Sequence, residues 1–225
     1  MNKQQTKMVV FDMAGTTVDE NNLVYKTLLK AINDKGFNFN LEDVLEVGAG
    51  KEKQQAIAAV LATAGIHDYP LTKAIYDQFQ IELAETYSTQ QISSQPKARE
   101  VFSELRSKGI KITLDTGYDR TTASQILQKL GWAQGQEYDL LVTASDVSRN
   151  RPFPDMIEHA MEHFAIKDPS SVIKVGDSAI DVEEGQNADC GLSIGITTGA
   201  HTPEQLKMAK PDYIIDSLEE LLPLI

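Results

Sequence analysis

Several things are scarce in this chain of 225 residues, and each scarcity excludes a class of protein. There is one cysteine, Cys190, so no internal disulfide can form and a reducing, cytoplasmic setting is expected. With no partner group nearby, Cys190 reads as a small buried residue. No apolar run approaches the length of a bilayer span, so no membrane is expected as a partner. Residues 1–7 are polar and lead into only four apolar residues, too few for the apolar region of a signal peptide. Basic residues are also scarce: 21 Lys and Arg face 33 Asp and Glu, for a net charge of −12. Without a basic stripe to offset that repulsion, nucleic acid is excluded as an expected partner. An acidic protein that handles an anion must then find positive charge locally, in a metal ion or a few placed Lys and Arg side chains.

What is present is a regular alternation. Met8-Val9-Val10-Phe11 is a short apolar run that reads as a buried strand, and similar runs fall at 110–114, 140–142, 172–175, 192–196 and 213–215. Between them lie helical periods. Ala98, Val101, Phe102 and Leu105 are spaced i, i+3, i+4, i+7, as are Ile157, Ala160, Met161 and Phe164. Pro96 and Gly109 punctuate the first of these helices. The fold class this implies is α/β, a Rossmann-like parallel sheet with helices on both faces. Residues 20–91 break the rhythm. Helical patterns around Tyr25 to Ile32, Gln54 to Leu61 and Ile75 to Tyr87 follow one another without a strand. The expected organisation is therefore a core of residues 1–19 and 92–225 with a small helical cap, residues 20–91, inserted after the first strand.

Polar groups gather at four strand ends: Asp12 to Asp19, Asp115-Thr116-Gly117, Ser148 to Pro154, and Gly176 to Asp181. In an open parallel sheet these ends form the ligand crevice, so the four segments should converge. Their residue types suit phosphoryl transfer. A carboxylate can attack phosphorus. Asp12 and Asp177, with a backbone carbonyl of the first loop, could hold magnesium. A threonine hydroxyl and loop N–H groups bind phosphate oxygens, and arginine neutralises the remaining charge. An aspartate at a strand end is usually a turn or cap residue, but Asp12 is followed by Gly15-Thr16-Thr17 and backed by three such segments. Asp177 has Asp181 four residues on. Thr116 could instead cap the helix beginning near Asp119, and Arg151 and Arg149 compete for one role, with Arg151 better spaced from Pro152 and Pro154. His159 and His163, at i and i+4, flank an apolar stripe and read as surface residues.

Taken in order, these motifs resemble the haloacid dehalogenase superfamily. Asp12-Met13-Ala14-Gly15-Thr16-Thr17-Val18-Asp19 resembles, more narrowly, its phosphonatase-like hydrolases, the group around phosphonoacetaldehyde hydrolase. The resemblance covers the core and is weaker across the cap. It implies that Asp12 is the nucleophile and becomes an aspartyl-phosphate. It implies that Asp12, the Ala14 carbonyl and Asp177 hold Mg2+, that Thr116 and Gly117 bind the phosphoryl group, that Arg151 is the catalytic cation, and that Asp181 orients the metal site or Arg151. Phosphatases of this superfamily carry a second aspartate two residues after the nucleophile as general acid; here that position is Ala14. Loss of a general acid typically costs about 10²–10⁴-fold. Phosphonatases avoid the need by forming a Schiff base between a cap lysine and the substrate aldehyde. In Gly48-Ala49-Gly50-Lys51-Glu52-Lys53 the lysine position falls on Lys51, expected near a helix start, while Lys53 reads as an ordinary solvated lysine. His67 and Tyr118 are alternative acids. Glu20 to Tyr25 and Thr198 to Thr202 fit the phosphonatase-like group better than phosphonatase itself.

The expected function is thus Mg2+-dependent hydrolysis of a small phosphonated or phosphorylated metabolite, with carbon–phosphorus cleavage at Lys51 competing with phosphate-ester hydrolysis. A phosphomutase, which would need a further acid/base group, and a non-catalytic binding protein are the more distant alternatives. A homodimer is left open.

Overall fold

A computed structural model describes residues 5–225; residues 1–4 of the polar amino-terminal segment lie outside the described residues. The first strand, β1 (Met8–Asp12), is buried at every position. Its side chains alternate as a strand requires: Val9 and Phe11 enter a large core on one face, and Met8 and Val10 a smaller core on the other. That two-sided burial explains the unbroken apolar run. The element then turns into β2 (Val18–Asp19), which leads to four helices: α1 (Leu23–Asn33), α2 (Leu41–Gly48), α3 (Lys53–Thr63) and α4 (Tyr69–Thr89). The chain returns through β3 (Ser93–Ser94), antiparallel to β2 with Val18 opposite Ser94 and Asp19 opposite Ser93.

Neither this two-residue ladder nor α2 is expected from the apolar pattern. Two-residue strands are too short to carry a period. The sequence signal for α2 lies in its cap instead: the Asn40 side chain accepts from Asp43 N–H while Asp43 accepts from Asn40 N–H, a reciprocal capping box. Asp68 caps α4 without a reciprocal bond, its side chain accepting from Leu71 N–H ahead of a proline in the first turn. Leu28, Ile57, Leu61, Ile75 and Phe79 close the core between the four helices.

Beyond β3 the alternation holds. The elements are α5 (Ala98–Ser107), β4 (Lys111–Thr116), α6 (Arg120–Leu130), β5 (Leu140–Thr143), α7 (Asp155–His163), β6 (Val172–Gly176), α8 (Ala179–Asn187), β7 (Leu192–Ile196), α9 (Pro203–Met208) and β8 (Tyr213–Ile215). The stripe Ala98, Val101, Phe102 and Leu105 is buried as its spacing predicts. On α7 Met156, Ile157 and Ala160 are fully buried, while Met161 and the cap residue Phe164 pack half-buried against the smaller core. Cys190, expected to be buried, is half-buried at the edge of the smaller core.

The six long strands form one parallel sheet in the order β5-β4-β1-β6-β7-β8. The chain runs outward from β1 on one side, through β4 and β5, then returns to the other, through β6, β7 and β8. The reversal falls at β1, so the crevice opens beyond its carboxyl end and those of β4 and β6. Register places Asp12 beside Asp115 there. Among the described residues no helix is long and apolar enough to cross a membrane.

Candidate active site

The turn after β1 is held by the Met13 carbonyl, which accepts from Thr16 N–H (3.2 Å), Thr17 N–H (2.9 Å) and Val18 N–H (2.8 Å). Thr17 Oγ1 donates to the Asp12 carbonyl at 2.9 Å. This arrangement leaves the Ala14 carbonyl out of the turn's bonds and aims the Asp12 side chain past the end of the sheet. Gly15 is required twice over. Its φ of +86° favours glycine, and a Cβ there would run into the Asp177 carboxylate.

Around Asp12 the described residues assemble a buried charge network. Arg151 Nη1 donates to Asp12 Oδ1 at 2.7 Å, its Nη2 to Asp115 Oδ1 at 2.5 Å and its Nε to Glu184 Oε2 at 2.9 Å. Asp181 Oδ1 lies 3.0 Å from Nη1 as an ion contact without an aligned hydrogen bond. Lys174 is fully buried in β6 and reaches Asp115 Oδ1 and Oδ2 (2.5 and 2.6 Å), Glu184 (2.8 Å) and Asp181 (3.2 Å). Four carboxylates therefore share two cations. Arg149 takes no part; it is exposed and pairs with Asp155.

The charge states follow from this geometry. Burial pushes the Asp12 carboxyl up, against the opposing pull of Arg151, to about 6. Burial acts on Asp115 in the same direction, but Arg151 and Lys174 outweigh it and hold that carboxyl below the usual range. Glu184 rises to about 8, through burial and then the Asp115 charge. Lys174 resists burial and the repulsion of Arg151 because Asp115, Glu184 and Asp181 surround it, so its pKa rises and it stays an ammonium.

Asp12, Asp115 and Asp181 each offer an oxygen within 4.8 Å of the others and could hold a metal ion. Arg151 already touches all three, however. Asp177 has a different environment. Its Oδ2 accepts from Ala200 N–H at 2.6 Å and its Oδ1 from Thr16 Oγ1 at 3.4 Å, with no lysine or arginine paired to it among the described residues. Burial, then the charges of Asp12 and Asp181, raise its carboxyl well above the usual range. Buried carboxylates that lack a cation have the chemistry a divalent ion satisfies.

Other sequence candidates fall as follows. Thr116 is buried, and its Oγ1 accepts from Tyr118 N–H at 3.3 Å. Gly117 sits under the loop between α2 and α3, where an added Cβ would lie 2.6 Å from the Lys51 carbonyl oxygen. Asp181 Oδ2 accepts from Ser178 N–H and Oγ, so its cap role and its contact with Arg151 coexist. His67 is exposed. Lys51 lies near a helix start, as expected, immediately before Glu52, the cap of α3, and is half-buried. Lys53, read as a solvated lysine, is instead only 6% exposed. Its Nζ donates to the Lys51 carbonyl at 3.0 Å and lies 5.2 Å from the Tyr25 ring and 5.0 Å from the Tyr118 ring.

Sequence reading assigned no role to Lys174, Glu184 or Lys53. For Lys174 a signal existed: a lysine inside Val172-Ile173-Lys174-Val175, a run buried on both faces, needs carboxylate partners. Glu184, one turn beyond Asp181, was the nearest source. For Lys53 no local signal existed, because its burial depends on how the loop lies over the sheet.

This chain belongs to the haloacid dehalogenase-like hydrolases: the family model of that description matches residues 9–196. Within that family its relatives include phosphonoacetaldehyde hydrolase of Latilactobacillus sakei subsp. sakei (strain 23K), 30% identical over 247 aligned residues that cover 95% of this chain and 92% of that protein. Pyrophosphatase PpaX of Bacillus mycoides (strain KBAB4) is 28% identical, covering 96% of this chain and 95% of that one. The crystal structure of a phosphonoacetaldehyde hydrolase like protein from Oleispira antarctica superposes with a TM-score of 0.84 at 23% identity, covering 99% of this chain and 92% of that one. The protein is therefore an enzyme, a hydrolase of phosphonatase or phosphatase type.

Proposed function

We propose that the protein is a Mg2+-dependent, phosphonatase-like hydrolase that cleaves the carbon–phosphorus bond of a small aldehyde phosphonate, phosphonoacetaldehyde being the representative substrate. Residues 20–91 act as a cap over the core of residues 1–19 and 92–225. The observation that carries the reading is a pairing of absence and presence at one strand end. Position 14 holds alanine, so no acid stands two residues beyond the nucleophile to protonate a leaving oxygen. The loop of residues 48–53, lying over Asp12 with the Gly50 carbonyl 3.4 Å from Arg151, takes a lysine out of water. A carbanion leaving group needs an electron sink more than a proton, and an amine can provide one as an imine.

Arg151 holds Oδ1 of Asp12, which leaves Oδ2 to attack phosphorus. The attack needs the carboxylate ionised, which its pKa of about 6 permits at neutral pH. Thr116 and the Gly117 N–H would hold the phosphoryl oxygens, while Arg151 would keep Asp12 in place and offset the charge of the carboxylates around it. Asp12, the Ala14 carbonyl and Asp177 would hold Mg2+, which when bound would neutralise the carboxylates and the phosphoryl oxygens. Water then hydrolyses the aspartyl-phosphate.

The test is release of phosphate and acetaldehyde from phosphonoacetaldehyde by the purified protein, with magnesium and with chelator. Magnesium-dependent release of both is expected. Hydrolysis of p-nitrophenyl phosphate without any release from phosphonoacetaldehyde would overturn the phosphonatase reading in favour of phosphate esters, a reading that the likeness to a pyrophosphatase supports.

A further inference from the structure

We infer that Lys53, and not Lys51, is the amine that forms the imine with substrate, housed in a box of Tyr25, held by the Gly50 N–H, and Tyr118, held by a buried Glu20–Tyr87–Tyr118 chain. This rests on the carbon–phosphorus reading above.

The molecule buries two lysines in contrasting surroundings. Lys174 has three carboxylates within 3.2 Å and is held as an ammonium. Lys53 is nearly as buried, yet no carboxylate pairs with it among the described residues. The neighbouring acid, Glu52, is turned to its own helix, where it accepts from Gln54 N–H and Gln55 N–H at 2.9 Å each. Burial therefore lowers the Lys53 pKa, with the charge of Asp12 in partial opposition. That environment shifts the balance towards the neutral, nucleophilic amine. Lys53 Nζ donates to the Lys51 carbonyl, and that carbonyl lies against Gly117, which follows the carboxyl end of β4 beside Asp12. Lys51 differs on each count. Its side chain is half-exposed and makes no hydrogen bond or ion pair among the described residues, and its backbone carbonyl is the part that faces the site, against Gly117 and Lys53 Nζ.

The box has a second property. Ring faces attract a cation, so Tyr25 and Tyr118 stabilise the iminium as it forms; they attract the ammonium too, and burial outweighs that attraction in the free enzyme. Both rings are fixed. Tyr25 Oη accepts from Gly50 N–H at 2.9 Å, which ties it to the same loop. The Tyr118 and Tyr87 hydroxyls are 2.6 Å apart, and Tyr87 donates to Glu20 Oε2 at 3.1 Å. Glu20 also accepts from Val24 N–H at 2.8 Å, which anchors the chain to the start of α1.

The chemistry balances as follows. The Lys53 lone pair forms the N–C bond. The aldehyde oxygen leaves as water with one proton from nitrogen and one from solvent, giving the protonated imine. Asp12 then forms the O–P bond. The C–P pair moves into a C–C double bond and the C=N pair moves onto nitrogen, leaving an enamine. Protonation at carbon and hydrolysis release acetaldehyde and the amine.

The experiment uses the wild-type enzyme, phosphonoacetaldehyde and borohydride, followed by peptide mapping. Hydride traps the acetaldehyde imine as an N-ethyl-lysine, expected on Lys53. The K53R variant, assayed in parallel, is expected to lose both the adduct and acetaldehyde release. An N-ethyl group on Lys51 would overturn the assignment and leave the carbon–phosphorus reading intact. Acetaldehyde release with no adduct at either lysine would overturn amine catalysis altogether. No acetaldehyde release from an enzyme active on esters would remove the reading on which the inference rests.

Discussion

Replacing Lys174 with methionine, a side chain of similar length without the charge, isolates the energetics of the buried network. In the native protein Asp115 stays ionised because Arg151 and Lys174 both hold it. Without Lys174, all four carboxyl groups, those of Asp12, Asp115, Asp181 and Glu184, face Arg151 alone. The fold can avoid that by keeping Asp115 protonated. At pH 7 this costs about 4 kcal/mol, because the ordinary aspartate pKa is about 3.9 and each unit of difference is worth about 1.4 kcal/mol. The figure agrees with the roughly 3–5 kcal/mol lost when one partner of a buried pair is removed. The sign of the pH dependence is fixed by the same argument. In the native protein the depressed carboxyl contributes stability that is present above the unfolded pKa. In the variant the raised carboxyl carries a penalty that shrinks as pH falls towards that value. At pH 5.5 the penalty is about 2 kcal/mol. Urea unfolding reports it through Trp132, the one tryptophan, which is buried with its ring 5.3 Å from that of Phe102. A loss below about 1 kcal/mol at pH 7, or equal losses at the two pH values, would refute the reasoning.

Three further outcomes follow from the site. In Gly117→Ala the new Cβ would lie 2.6 Å from the Lys51 carbonyl oxygen and 2.9 Å from its carbon, so the loop over the site must shift; kcat/KM is expected to fall about 10²-fold, as for an ångström of misplacement, with little change in the urea midpoint. Magnesium is expected to raise Tm, and more at pH 8 than at pH 5.5. Asp12 and Glu184 have raised pKa values, about 6 and about 8, so their stabilising protonated forms are lost as pH rises through that window, and a divalent ion takes over the role of the protons; a larger shift at pH 5.5, read by thermal scans with and without chelator, would contradict this. Asp12→Asn is expected to abolish phosphate release and, with no metal present, to stabilise the protein at pH 8 by up to about 3 kcal/mol, the cost of ionising a carboxyl whose pKa has moved from about 3.9 to about 6; a less stable variant in urea unfolding would count against burial as the main cause of the shift.

Much of this architecture can be read from residue order, because it is written in periods. The buried strands are short apolar runs, and Ala98, Val101, Phe102 and Leu105 trace a helix face that the structure buries. The strand-end motifs are local too, so Asp12, Thr116, Arg151 and Asp177 can be found before the sheet is assembled. What escapes is set by contacts distant in sequence. The Val18–Ser94 ladder has no period to detect. Lys51 and Lys53 are two residues apart with similar neighbours, and nothing local distinguishes an amine that faces solvent from one that lies against Tyr25 and Tyr118. In Arg151, spacing to the prolines located the residue but could not disclose that it has four carboxylate partners.

Those partners also answer a question posed by the composition. A protein of net charge −12 that binds an anion must concentrate positive charge where the anion sits. The network supplies two cations, and both are consumed by Asp12, Asp115, Asp181 and Glu184. Asp177 adds a fifth carboxylate with no cation of its own. The site of the protein alone is therefore more negative than a phosphonate could tolerate, and Arg151 cannot turn towards substrate without abandoning a buried acid, at a cost of several kcal/mol. Such a site binds an anion only if a divalent ion, protons on Asp177 and Glu184, or both restore the balance. Affinity for inorganic phosphate should accordingly be weak in chelator at pH 8 and recover either on adding magnesium or on lowering the pH through about 8 and then about 6, where Glu184 and Asp12 take up protons. Titration calorimetry at pH 8 and pH 5.5, with and without magnesium, decides this, and equal affinity under all four conditions would show that Arg151 is free to bind the anion by itself.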